Sequence, residues 1–181
     1  CVTPSWRHGA ERAPGEGTVV GAMARRKVEH EQRREPVPLK LRAEHALWER
    51  LVYRKVRAAL GWQRVRICLN GGAPTRLDLL YFFHALGVCV LEGYGMTETN
   101  SPITLNHPKA YRIGSVGQAL PVVELRISSD GEILVSSPRL FRGYEADPAA
   151  TAEALDAEGF FHTGDIGKLD VDGFLTITDR K

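Results

Sequence analysis

Leu91–Asn100 reads LEGYGMTETN. It follows a short apolar run, Val88-Cys89-Val90-Leu91, which predicts a buried strand. Beyond the strand the chain is expected to open into a loop, with Gly93 and Gly95 around Tyr94, then Met96, Thr97 and Glu98. A flat ring, a hydroxyl and a carboxylate thus leave the end of one strand within a few residues. These groups suit a nucleotide: a π surface for a base, a donor for phosphate, and a hard anion for a metal ion. The two glycines let the backbone approach a ligand with no Cβ in the way.

Working upstream, Val65–Leu69 predicts another short apolar strand and Asn70–Pro74, NGGAP, a turn. Thr75 can cap a helix carrying Leu77, Leu80, Tyr81 and Leu86 that stops at Gly87. Strand, helix and strand form a βαβ unit, whose crossover makes the strands parallel. Both following loops then emerge at the same carboxyl edge of the sheet, where open α/β folds bind ligands. NGGAP and EGYGMTE are therefore expected to be neighbours in space.

Before this unit, residues 1–20 are rich in Gly, Pro and charge and predict a loop or disordered end. Gly21–Glu35 reads as a polar helix broken by Pro36 and Pro38. Leu39–Leu60 reads as an amphipathic helix, with Leu41, Trp48, Val52, Val56 and Ala59 on one stripe and Gly61 ending it. After the unit the pattern turns to strands. Val122–Ile127 and Glu132–Ser136 flank SSDG, and Ile166–Leu169 and Phe174–Thr178 flank DVDG, both hairpin signals. An EF-hand reading of Asp170–Gly173 fails, because the third ligand and the distal glutamate are missing. Asp147-Pro148 starts a short helix with Asp as cap. The expected fold class is α/β, with a parallel βαβ part followed by a β-rich, distorted-barrel module. The expected divisions are a leader (1–38), a nucleotide-binding unit (39–101) and the β-rich module (102–181).

A chain of 181 residues, 43 % hydrophobic and 25 % charged, can bury a core. No apolar run reaches the roughly 20 residues of a membrane span. Cys1, Cys68 and Cys89 are too scattered for a disulfide framework or a zinc site. Cys68 and Cys89 lie in apolar runs and are expected to be buried thiols, which points weakly to a cytoplasmic setting. The net charge of +2 hides an asymmetry: residues 1–60 hold 13 Lys/Arg against 7 Asp/Glu, and residues 61–181 hold 11 against 15. The basic leader raises a peripheral contact with the inner face of a membrane. Its interleaved Glu29, Glu31 and Glu35 fit a solvated helix face, and no nucleic-acid partner is expected.

The string GYGMTE resembles the signature of AMP-forming acyl-CoA synthetases and their adenylate-forming relatives. Three further stretches resemble the same family in the same order: NGGAP (Asn70–Pro74), GEILVSSPRLFRGY (Gly131–Tyr144) and FHTGDIGKLDVDGFLTITDRK (Phe161–Lys181). RLVYRKVRAALG and FFHALGVCVLEGYGMTETNSP look most like bacterial long-chain fatty-acid ligases. Peptide-synthetase adenylation domains usually carry Pro where Met96 stands.

The resemblance implies a reaction in two halves. A fatty carboxylate attacks the α-phosphate of ATP to give acyl-adenylate, and the thiol of coenzyme A then displaces AMP. It implies that Tyr94 stacks on adenine, with Gly72, Ala73 and Pro74 lining the base and Gly93, Gly95 and Met96 completing the loop. Thr97 would bond the α-phosphate and Glu98 would hold Mg²⁺. Asp165 would accept the ribose hydroxyls, and Arg180 would reach ribose or phosphate.

Each residue also has a plainer reading. Tyr94 can be a core tyrosine, although its glycine neighbours argue against strand packing. Gly72 and Ala73 can form a tight turn, Thr97-Glu98-Thr99 a helix start, Asp165 a turn and Arg180 a surface side chain. His84, His107 and His162 lack a nucleophile or metal partner and read as structural. The family's Ser/Thr/Gly-rich phosphate-clasping loop with its lysine has no match before Leu39, and its small C-terminal domain no match after Lys181. The chain is therefore expected to be a fragment, inactive alone, carrying the adenine, ribose and α-phosphate half of a site. A remnant that binds nucleotide or another protein without catalysis is the alternative, as is an enzyme for aryl or other carboxylates.

Overall fold

The structure, a computed structural model, describes residues 19–33 and 35–181. The reading of residues 1–20 as loop or disordered end lies almost wholly outside them. The described chain divides into two compact units.

The first unit, residues 19–33, 35–70 and 74–91 among those described, is mainly helical. It holds α1 (Val19–Gln32), α2 (Leu39–Trp48), a π turn (Glu49–Tyr53), α3 (Arg54–Ala59), β1 (Cys68–Asn70) and α4 (Leu77–Ala85). Pro36 and Pro38 fall in the break before α2, and Gly61, at φ 71°, follows the end of α3. The π turn fits one extra residue into the helix and shifts its phase. Tyr53 accordingly turns inward to a cluster with Leu86 and Val88, against which Trp48, Val52 and Val56 pack. Ala59, expected on the buried stripe, is exposed.

Three expectations in this unit are corrected. The strand read at Val65–Leu69 is β1, shorter and displaced toward Asn70, with Leu69 65 % exposed. The N-cap of α4 is Arg76 in extended conformation, without a side-chain cap bond. Thr75 instead bonds Asn70, the two side chains bracing the turn between them. Cys68 and Cys89 are free but only half-buried. β1 lies beside the start of β2 (Val90–Met96), with the Cys68 amide donating to the Cys89 carbonyl at 3.1 Å. With α4 between them, the two strands complete the βαβ unit.

The second unit comprises residues 71–73 and 92–181 among those described. In it β2 continues to Met96 and pairs antiparallel with β3 (Ser101–Leu105), which pairs with β4 (Gln118–Ala119). A second sheet, in the order β5 (Glu124–Ile127), β6 (Glu132–Ser136), β7 (Phe161–Leu169) and β8 (Leu175–Arg180), is antiparallel throughout. The SSDG and DVDG turns make hairpins as expected. Asp147 caps α5 (Pro148–Ala154) by accepting the Ala150 N–H at 2.9 Å, with Pro148 at the first position. Tyr94, Ile103, Ile133, Val135 and Leu175 form the core, drawn from both sheets. The fold class is thus the expected one: mixed α/β with a β-rich module.

Candidate functional site

The glycine motif does not open a loop. β2 runs through Gly93, Tyr94 and Gly95, and the partner strand explains why glycine is needed there. A Cβ at Gly93 would lie 2.9 Å from Leu105 Cδ1 and 3.1 Å from the Thr104 carbonyl oxygen. The pairing with β3 slips between Tyr94 and Gly95, a local irregularity that re-aims the strand end. The expectation that flanking glycines keep Tyr94 out of strand packing is therefore corrected. Tyr94 is 8 % exposed and belongs to the core.

Its hydroxyl still serves the site. Tyr94 Oη donates to Asp165 Oδ2 at 2.6 Å. Asp165, 6 % exposed, sits within β7 rather than in a turn. It pairs in register with Arg180, whose Nε is 3.7 Å from Asp165 Oδ1. Burial, and then the bond to Asp165, push the Tyr94 phenol far above its ordinary range. Asp165 is thus a buried carboxylate with one oxygen engaged by a phenol and the other beside an arginine that is 64 % exposed. A carboxylate offers about four lone-pair sites, so acceptor capacity remains for a diol.

At the end of β2, Met96 packs on the core and begins a 3₁₀ turn, Thr97–Thr99. Thr99, the last residue of the helix start read at Thr97-Glu98-Thr99, closes that turn: its Oγ1 donates to the Met96 carbonyl at 2.9 Å and accepts the Met96 N–H at 3.0 Å. Thr97 is left exposed and Glu98 half-exposed. Tyr144 Oη donates to Glu98 Oε1 at 3.0 Å, and the Phe141 N–H donates to the Glu98 carbonyl at 2.8 Å. The segment after β6 therefore fixes Glu98 by both backbone and side chain. The second carboxylate oxygen remains for a cation, and Mg²⁺ commonly takes one or two protein carboxylates together with phosphate and water. No group of three or more His, Cys, Asp or Glu suited to a metal occurs among the described residues.

The two glycine segments meet within this unit. A Cβ built on Gly71 would stand 3.1 Å from the Gly93 carbonyl oxygen, so the backbones approach closely. Gly72 has φ 82°, a turn conformation that favours glycine, and Gly72, Ala73 and Pro74 are exposed. No pattern in the sequence marks Glu132 as a site residue. Buried at 5 %, it accepts the Gly164 N–H at 2.9 Å and Lys181 Nζ at 2.8 Å, with His162 Nδ1 3.1 Å away. Burial pushes its carboxyl up, but Lys181, His162 and the Gly164 N–H together outweigh this and hold it below the usual carboxylate range. Among the basic residues of α1, Arg25 and Lys27 pair with Glu29 and Glu31, as on a solvated helix face.

A family model described as AMP-binding enzyme matches residues 17–145. The chain belongs to the AMP-binding enzyme family. Among relatives in that family, a long-chain-fatty-acid–CoA ligase of Mycobacterium bovis, FadD15, is 47 % identical over 143 residues, covering 79 % of this chain and 24 % of the relative. Human long-chain-fatty-acid–CoA ligase 1 is 41 % identical over 149 residues, covering 76 % and 21 %. A solved structure of o-succinylbenzoate coenzyme A synthetase from Bacillus subtilis, in complex with ATP and magnesium ion, is similar with a TM-score of 0.59 at 33 % identity, covering 70 % of this chain and 30 % of that one. The chain spans about a quarter of the length of the curated relatives it matches. No helix among the described residues is long and apolar enough to cross a membrane.

Proposed function

We propose that the chain forms the adenine-, ribose- and α-phosphate-binding part of a long-chain fatty acid–CoA ligase. The observation that carries this reading is the Tyr94–Asp165–Arg180 cluster, built by two motifs far apart in sequence and joined by a 2.6 Å bond. Asp165 accepts the ribose hydroxyls through its remaining lone pairs. Tyr94, buried in the core, serves the site through its hydroxyl on Asp165, and Gly72 and Ala73 border the base. Arg180 reaches ribose or phosphate from its exposed position. Thr97 donates to the α-phosphate.

Glu98, with one oxygen occupied by Tyr144, holds Mg²⁺ with the other. The ion, when bound, neutralises charge on the phosphates as they react. The chain's own contribution is to position the nucleotide so that the carboxylate and the α-phosphate meet. A fatty acid is favoured over aryl carboxylates because the 47 % and 41 % identical relatives are named for long-chain fatty acids. Coenzyme A is the second substrate, and the setting is cytoplasmic.

The reading is tested by titrating the chain with AMP in a calorimeter. Saturable binding to one site is expected, and it should be lost or much weakened in Asp165→Ala. Failure of the wild-type chain to bind AMP contradicts the proposal.

A further inference from the structure

We propose that Glu132 and Lys181 act together as positioning residues for Asp165, setting the ribose acceptor without touching the nucleotide. This rests on the ribose-binding reading of Asp165 and goes beyond it.

The argument starts from strand register. Glu132 faces Ile166 and Leu134 faces His162, so two steps along β6 are matched by four along β7. The extra chain lies among Thr163, Gly164 and Asp165, which makes this a bulge that re-aims a side chain. Such a bulge leaves peptide groups outside the ladder, and buried ones must find partners elsewhere. Gly164 at the centre, with φ 71°, is held from both sides. Its N–H goes to Glu132 Oε1 at 2.9 Å, and its carbonyl accepts the Lys181 N–H at 2.8 Å. The Lys181 ammonium then closes a ring by donating to Glu132 Oε2 at 2.8 Å. Thr163 adds a tie, donating to the Ile133 carbonyl at 2.8 Å while accepting the Asp165 N–H at 3.1 Å.

The residue next to this clamped glycine is Asp165, whose carboxylate meets Tyr94. A peptide rotation at Gly164 would swing that carboxylate away from the phenol. Glu132 and Lys181 close the ring that prevents it. An uncharged core could fill the same space, but it would leave the Gly164 N–H without an acceptor. A buried carboxylate is costly unless well supplied with donors, and Glu132 has Lys181, His162 and the Gly164 N–H.

The test separates positioning from general stability by asking for a ribose-specific effect. AMP and 2′,3′-dideoxy-AMP are titrated into the wild-type chain, Glu132→Ala, Glu132→Gln and Lys181→Met, with thermal melts alongside. The wild type should prefer AMP by about 10-fold or more, the scale of a charge-assisted bond. Glu132→Ala and Lys181→Met should lose most of that preference, through weaker AMP binding with dideoxy-AMP affinity nearly unchanged. Glu132→Gln, whose amide oxygen can still accept the Gly164 N–H, should keep more of it than Glu132→Ala.

Intact preference in folded Glu132→Ala overturns the inference alone. If Glu132→Ala does not fold, Lys181→Met decides: a wild-type preference there overturns the inference, and a reduced one supports it. A wild type that binds AMP and dideoxy-AMP equally overturns the ribose reading itself, and this inference with it.

Discussion

Tyr94 donates its hydroxyl to Asp165 across 2.6 Å, tying together two buried residues 71 positions apart in the chain. One lies on β2 and the other on β7, so the bond links the two sheets of the second unit at the candidate site. A short O–H to carboxylate bond of this kind is charge-assisted and strong.

Tyr94→Phe removes the donor and leaves Asp165 short of a partner. The cost to stability at neutral pH should be about 1.5–3 kcal/mol, as for hydrogen bonds to charged groups. The variant should also differ at alkaline pH. Burial and Asp165 raise the Tyr94 phenol in the folded state, so its contribution is complete below the unfolded value, near pH 10, and is lost as pH rises above that. Denaturant melts across this range should show a shallower alkaline loss in Tyr94→Phe than in wild type. Equal slopes would contradict the assigned environment of Tyr94.

Glu98 and Asp165 should separate by ligand. Asp165→Asn should weaken AMP and Mg-ATP binding alike, since both carry the ribose. Glu98→Gln should spare AMP and weaken Mg-ATP, because only the latter brings the metal. Calorimetry with each ligand decides this. If Glu98→Gln harms AMP binding as much as Asp165→Asn does, the metal assignment falls and the 3₁₀ turn alone accounts for the residue.

Glu132 should show itself at acid pH. Its carboxyl is held below the usual range, so its contribution is present above the unfolded value of about 4.3 and lost as pH falls below it. Glu132→Gln does not titrate and should lose less stability than wild type on acidification through pH 4. Parallel acid melts of the two proteins would show that the buried carboxylate is not held in the folded state as the structure indicates.

Gly117 and Gly159 form a matched pair of substitutions. A Cβ on Gly117 would sit 2.0 Å from the Leu105 carbonyl carbon and 2.1 Å from the Asn106 nitrogen, so backbone would have to move. Gly117→Ala should cost more than about 4 kcal/mol, in the exceptional range for one substitution. Gly159 has φ 84° but nothing within 4 Å of its Cβ position. Its replacement by Ala should cost only the strain of that conformation, about 1–2 kcal/mol. Urea melts of both variants check the order, and a milder effect at Gly117 would contradict the packing of β3 against residues 116–118.

Local chemistry was the most legible part of the sequence. The Asp-Gly turns announced both hairpins, and Asp147-Pro148 announced α5, because each acts through its own few residues. What sequence missed depends on residues far away. Gly93 looks like a loop opener, yet it is a strand glycine because Leu105 and Thr104 leave no room for a Cβ. The same glycines make Tyr94 look unpacked, yet its ring lies in the core. The role of Glu132 follows from the bulge in β7, and no pattern near residue 132 reveals it. The stripe along Leu39–Leu60 assumes a constant period, which the π turn at Glu49–Tyr53 interrupts.

The most direct test of the account is whether Asp165 reads the ribose. AMP and 2′,3′-dideoxy-AMP are titrated into the wild-type chain and Asp165→Asn, giving a four-cornered comparison. Asn keeps an oxygen for the Tyr94 hydroxyl, so the fold should persist. The wild type should prefer AMP by about 10-fold or more, and Asp165→Asn should shrink that preference to a few-fold by losing AMP affinity alone. An unchanged preference for AMP in folded Asp165→Asn would contradict the central claim, since the hydroxyls would then be recognised elsewhere.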